Sequence, residues 1–239
     1  MHDTPVSEDS DTPGERPGAT EKASLRRRLV AARGSMSGSA RISAGRLIRD
    51  HVLEMPEMSA AGTVAAYYSV GSEPDTRGLV FALWKRGSYV ILPVLLPDGD
   101  LDWASYEGPD SLAPGPRGLL EPVDPVRGPG TIARADAVLV PALAVDMRGN
   151  RLGRGGGSYD RALARVGPQV PTIGLLYDDE LLPSVPVEPH DQRVRLVARP
   201  GHGLTWLPSR GGPPSRGGPP VAGTGALPVE SAAGENGYP

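Results

Sequence analysis

The sequence predicts a single α/β domain on an open, mainly parallel, Rossmann-like sheet flanked by helices, with a disordered tail at each end. Three observations carry this. The order strand, loop, helix, strand occurs twice, and the strands are short apolar runs of the kind that both-face burial requires. Glycine and proline, 32 and 27 of the 239 residues, concentrate at the ends: residues 200–239 hold 18 of them, leaving a load between the tails that a loop-rich globular domain tolerates. The domain is therefore expected over residues 21–199, enough for one hydrophobic core.

The first helix is expected from a Thr20 cap to Gly34, with Leu25, Leu29 and Val30 on one face and Lys22, Arg26 and Arg33 projecting elsewhere. A second covers residues 39–55, where Ile42, Leu47, Ile48 and Val52 form an amphipathic stripe that Pro56 stops. A strand over 63–68, a turn over 69–74, a helix over 75–86 and a strand over 89–94 make one βαβ unit. Its loop after the first strand lies where α/β proteins bind ligands. After a polar stretch, 97–130, with a short hairpin around 101–106, the pattern repeats. A buried strand over 135–140 leads to a long loop over 141–157, a helix over 158–166 and strands over 171–176 and 194–198.

Residues 1–20 carry five acids and one base but almost no aliphatic side chains, and cannot offset the entropy of ordering. Residues 200–239 contain Pro-Ser-Arg-Gly-Gly-Pro at 208–213 and again at 214–219, a linker-like duplication. The absence of cysteine excludes disulfide scaffolds, thiolate zinc sites and thiol nucleophiles. No apolar run approaches the roughly twenty residues a membrane span needs, and no secretory signal is readable, so a cytoplasmic protein is expected. The formal charge of −3 divides into −4 for residues 1–20, zero for 200–239 and hence +1 for the domain, which argues against a nucleic-acid partner. A monomer acting on small molecules is the expectation.

The informative segment is Asn150-Arg-Leu-Gly-Arg-Gly-Gly-Gly-Ser-Tyr-Asp160, between a buried strand and a helix. Gly153, Gly155, Gly156 and Gly157 expose backbone N–H groups near a helix start, and Arg151 and Arg154 add cationic forks, so phosphate is the natural guest. Asp160 suits a magnesium ion held through its phosphate ligands. Neither common nucleotide fingerprint fits: no Gly-x-x-x-x-Gly-Lys-Ser/Thr occurs, and Ser158 stands where Gly-x-Gly-x-x-Gly, counted from Gly153, needs its third glycine.

Four blocks in order, Lys22-Ala-Ser-Leu-Arg26, Gly71-Ser-Glu-Pro-Asp-Thr76 after Ala65-Ala-Tyr-Tyr, the Gly/Arg segment, and Val187-Glu-Pro-His-Asp191, resemble the 5-formyltetrahydrofolate cyclo-ligase, or methenyltetrahydrofolate synthetase, family. The third block is the specific one. The resemblance implies an ATP- and Mg2+-dependent closure of 5-formyltetrahydrofolate to 5,10-methenyltetrahydrofolate with release of ADP and phosphate. It implies ATP contacts at Lys22, Ala23, Ser24, Leu25 and Arg26, and along Arg151, Leu152, Gly153, Arg154, Gly155, Gly156, Gly157, Ser158 and Tyr159. Arg154 and Arg151 take the catalytic role, and Asp160 and Asp191 that of magnesium ligands. Val70, Glu73 and Asp75 line the folate pocket, bordered by residues 154–158. Read from the sequence alone, Glu73 also serves as a cap for the following helix, and His190 and Asp191 as turn residues.

Two positions depart from the family pattern. Ser158 replaces one of two consecutive aromatics, and Gly156 stands where some relatives carry lysine. Two other readings compete: a non-catalytic nucleotide- or folate-binding module that keeps the loop without turnover, and a sugar-phosphate or CoA-type enzyme on a similar sheet.

Overall fold

The computed structural model describes residues 17–208. Helix α1 (Pro17–Ser35) begins three residues before the expected Thr20 cap, with proline in its first turn, where the missing N–H costs nothing. Helix α2 (Gly38–Leu53) is capped by Ser37, whose hydroxyl accepts the Ala40 N–H. It is followed by α3 (Pro56–Ala60), β1 (Thr63–Ala65), α4 (Arg77–Lys85), β2 (Tyr89–Leu95) and β3 (Leu101–Ser105). A two-stranded ribbon, β4 (Leu112–Pro114) and β5 (Leu120–Pro122), precedes β6 (Ala137–Pro141), β7 (Ala144–Asp146) and β8 (Arg151–Leu152). The remainder is α5 (Ser158–Leu163), β9 (Thr172–Leu175), β10 (Leu181–Leu182), β11 (Leu196–Arg199) and β12 (Gly203–Trp206).

Among the described residues, seven strands form the main sheet in the order β12-β11-β9-β6-β1-β2-β3. The five central strands pair in parallel, while β3 and β12 close the edges antiparallel. Both faces are buried, as the continuous Val-Leu-Val of β6 requires: one packs on α2 and α4, the other on α5 and the 3-10 turn Pro129–Arg134.

The structure corrects several expectations. Strand β1 ends at Ala65 instead of residue 68, because the Thr76 hydroxyl binds the Tyr67 carbonyl at 2.7 Å and accepts the Ser69 N–H at 2.9 Å, turning the chain out of the sheet. Helix α4 starts at Arg77, leaving Asp75 outside it. In α2 the buried face is Ala44, Gly45, Ile48, Val52 and Leu53, with Ile42 and Leu47 exposed, since the face turned to the core follows the 44, 48, 52 spacing. The expected loop over 141–157 is largely a hairpin of β7 and β8, and α5 stops at Leu163.

The boundary at residue 199 is also too early. Strand β12 completes the sheet edge, and Leu207 beyond it is buried. Residues 1–16, expected to be disordered, lie outside the described residues, as does the hexapeptide duplication apart from Pro208.

Candidate active site

Three segments meet around a cavity of about 560 Å³, a size suited to a small-molecule ligand. They are one face of α1, the loop after β1, and the stretch from β8 into α5, with residues from 93–101, 119–120, 141–143 and 188–191 completing the lining. On α1 the inward positions are 22, 26, 29 and 33, the i, i+4, i+7, i+11 spacing of a single helix face, occupied by Lys, Arg, Leu and Arg. The expectation that Lys22 and Arg33 project away is therefore wrong: they are 4% and 2% exposed. Each has a fixed partner. Lys22 donates to Glu188 at 2.8 Å and Asp191 at 2.6 Å, Arg26 donates through Nε to the Gly153 carbonyl at 2.9 Å, and Arg33 forks onto Glu180 at 2.6 and 2.7 Å while donating to the Ala142 carbonyl.

The Gly/Arg segment follows from its turns. Gly157, with φ 68°, is the left-handed residue that starts α5. A Cβ at Gly153 would lie 2.6 Å from Nη1 of Arg151, so glycine there leaves room for the buried guanidinium. Arg151 donates to Asp160 at 2.8 Å and to the Pro141 carbonyl, and its Nε is buried without a hydrogen-bond partner among the described residues. Arg154 reaches over the cavity, half exposed, with Nε 3.1 Å from Glu73. With six residues, α5 sums few peptide dipoles, so the positive character of this wall rests on guanidinium and ammonium groups more than on the helix end.

Of the residues expected at the site, Lys22, Arg26, Val70, Glu73, Asp160, Asp191 and all of 151–159 line the cavity. Ala23, Ser24 and Leu25 do not, because they face away from it around the helix. Asp75 does not either: its carboxylate accepts the Arg77 N–H at 3.0 Å and holds the start of α4. Glu73 is not a helix cap, since it accepts the Val70 N–H and pairs with Arg154. Ser158 is turned to the Gly99 carbonyl, which ties the Gly/Arg segment to the β2–β3 turn and accounts for a small polar residue there.

The chemistry of the donor set fits a hard cation at the Lys22 corner, because carboxylate oxygens are what Mg2+ takes. Ligand atoms of Glu188, His190 and Asp191 lie within 4.8 Å of one another. Burial tends to raise the Asp191 carboxyl, but the Lys22 ammonium and the Glu188 N–H hold it below its ordinary value; Glu188 is lowered by Lys22 first of all. Asp160 stands apart from that trio, its Oδ1 accepting from both Arg151 and the Gln192 N–H.

Sequence reasoning gave no site role to Arg33, Glu188 or the tyrosines of the 65–68 block, all of which line the cavity. The helical spacing of Arg33 from Lys22 was the available signal, and three potential ligand residues in four positions marked 188–191.

Residues 19–200 match the model of the 5-formyltetrahydrofolate cyclo-ligase family. A Mycolicibacterium smegmatis protein named 5-formyltetrahydrofolate cyclo-ligase is 43% identical over 150 residues, covering 61% of this chain and 77% of its own length. One of the same name from Escherichia coli K12 is 33% identical over 165 residues, 68% of this chain and 91% of its own. The solution structure of Aquifex aeolicus 5,10-methenyltetrahydrofolate synthetase superposes with a TM-score of 0.69 at 26% identity, covering 82% of this chain and 96% of that one.

Proposed function

This chain belongs to the 5-formyltetrahydrofolate cyclo-ligase family, and from that premise we propose that it closes 5-formyltetrahydrofolate to 5,10-methenyltetrahydrofolate at the expense of ATP. The observation that supports this most directly is the convergence of Lys22, Arg26, Arg151 and Arg154 on a single cavity that uncharged Tyr67, Tyr68 and Leu101 also line. The cations suit a triphosphate and the uncharged residues a heterocycle.

A formyl oxygen on an amide-like nitrogen is a poor leaving group. In the proposed reaction it attacks the γ-phosphorus of ATP, and the bond from that phosphorus to the ADP oxygen breaks. The N10 amine of the same folate then attacks the activated carbon; the N10–C bond forms, the C–O bond breaks, phosphate leaves and the N10 proton passes to solvent. Such transfers depend on positioning and charge neutralisation, with no protein nucleophile required. Arg154, half exposed and paired with Glu73, neutralises the transferring phosphoryl group, while Arg151 is fixed by Asp160. Lys22 and Arg26 hold the outer phosphates. Asp191 and Asp160 are the proposed magnesium ligands, with Glu188 beside Asp191; the ion would supply further neutralisation of phosphate charge.

The cavity suits two small-molecule substrates, and the near-neutral charge of the domain favours no nucleic-acid partner. Among the described residues no helix is long and apolar enough to cross a membrane. ATP consumption supports the cytoplasm as the compartment.

The test is incubation of the purified protein with 5-formyltetrahydrofolate and Mg-ATP while the absorbance of the methenyl product is followed. Product that depends on both substrates is the expected result. A thermal shift with ATP and no product would establish the binding-module alternative instead.

A further inference from the structure

Two tyrosines that line the cavity carry hydroxyls with no hydrogen-bond partner among the described residues. Tyr67 follows β1 and is 4% exposed, and Tyr159 lies in the first turn of α5, where it packs against both core clusters. Both line the cavity, and both hydroxyl oxygens are buried without a hydrogen bond among the described residues. A buried hydroxyl left unpaired destabilises a fold, by about 1–3 kcal/mol, whereas phenylalanine at either position would keep the ring packing without that cost. Tyr177, by contrast, donates to the Ser72 carbonyl. Arg151 Nε at the same site is likewise buried and unpaired among the described residues, so the orphaned groups gather where a ligand would sit.

The surroundings say what the hydroxyls suit. A tyrosine hydroxyl is ordinarily neutral near pH 7. A neutral phenol both donates and accepts, which fits a heterocycle edge with adjacent carbonyl and N–H groups. It gives little to a phosphate, for which the cavity lining offers six lysine and arginine side chains.

We propose that the Tyr67 and Tyr159 hydroxyls are substrate-binding groups that hydrogen-bond the carbonyl and N–H edge of the pterin. This rests on the reading of the protein as a 5-formyltetrahydrofolate cyclo-ligase. It adds Tyr67, which the sequence did not single out, and gives Tyr159 a folate role in place of the ATP contact expected from the sequence.

The test uses the full chain and its Tyr67→Phe and Tyr159→Phe variants, with Tyr89→Phe, an exposed position away from the cavity, as control. Thermal unfolding without ligand and calorimetric titration with 5-formyltetrahydrofolate and separately with Mg-ATP are measured for each. Loss of a hydroxyl at either cavity position is expected to weaken folate binding about tenfold. It should raise KM for folate more than it lowers kcat and leave ATP affinity as in Tyr89→Phe. The unliganded melting temperature should hold or rise, because an unpaired buried group has been removed; a merely structural tyrosine would show the opposite pattern, a lower melting temperature with unaltered folate affinity. Wild-type folate affinity in both cavity variants, alongside normal wild-type turnover, overturns this assignment alone. A wild-type protein that neither binds nor converts 5-formyltetrahydrofolate overturns the functional reading and this assignment together.

Discussion

Helices α1 and α4 are fastened to the body of the protein by opposite means. Helix α4 buries Leu79, Val80 and Leu83 against the sheet, the expected apolar face. The side chains that α1 buries most deeply are Lys22, Leu29 and Arg33, two cations around one leucine, with Arg26 half-buried between them. Removing cations from water is costly and is offset only by well-placed partners, so such a face is poor as a stabilising device. Its value lies in what it delivers: an ammonium and a guanidinium at the wall of the cavity, on a rigid helix that Arg33 and Glu180 pin in place. Apolar attachment builds the fold, and ionic attachment builds the site.

That contrast can be broken at its strongest point. Arg33→Met leaves Glu180 buried and unpaired and should destabilise the protein by about 3–5 kcal/mol. Leu83→Ala in α4 should cost about 2–5 kcal/mol through its cavity. Denaturant unfolding separates the two kinds of attachment, because a compensating Glu180→Leu should recover most of the first loss, whereas no single charge change recovers the second. Arg154→Ala should lower turnover at least about a hundredfold with the melting temperature preserved, since that side chain is 55% exposed; kinetics like wild type would remove the Gly/Arg segment from the chemistry.

Acid sharpens the comparison. The Glu188 and Asp191 carboxyls lie below their usual values of 4.5 and 3.8 in the folded protein. Their pairing with Lys22 therefore contributes fully above those values and is lost as the pH falls beneath them. Amide exchange should show the N-terminal turns of α1 loosening in that window before α4 does, and Lys22→Met should abolish the step. The smallest effect expected is from deleting residues 209–239: turnover and melting temperature should both stay at wild-type levels.

The sheet was legible because both-face burial writes itself as continuous apolar runs, as in β6, and the Gly/Arg segment because four glycines beside two arginines have few structural uses. The β7–β8 hairpin was not. Its turn is held by the buried Asp146 carboxylate, which accepts the Arg148 and Asn150 N–H groups, a polar arrangement that hydrophobic periodicity does not register. Strand β12 was lost in a Gly/Pro-rich stretch because only its pairing with β11 reveals it. The burial of the α1 face escaped because a stripe of cations has the right helical period and the wrong chemistry for a core, so Arg33 was given no site role and Lys22 and Arg26 only the ATP contacts that the resemblance implies.

The central claim is that the inward cations of α1 grip the phosphates of ATP together with the Gly/Arg segment. Calorimetric ATP affinities of Lys22→Met and Arg26→Met, compared with Arg27→Met and Arg28→Met on the exposed side of the same helix, test it most directly. The inward pair should bind ATP about tenfold or more weakly, consistent with losing a charge-assisted phosphate contact, and the outward pair should match wild type. Equal affinities in all four variants would contradict it.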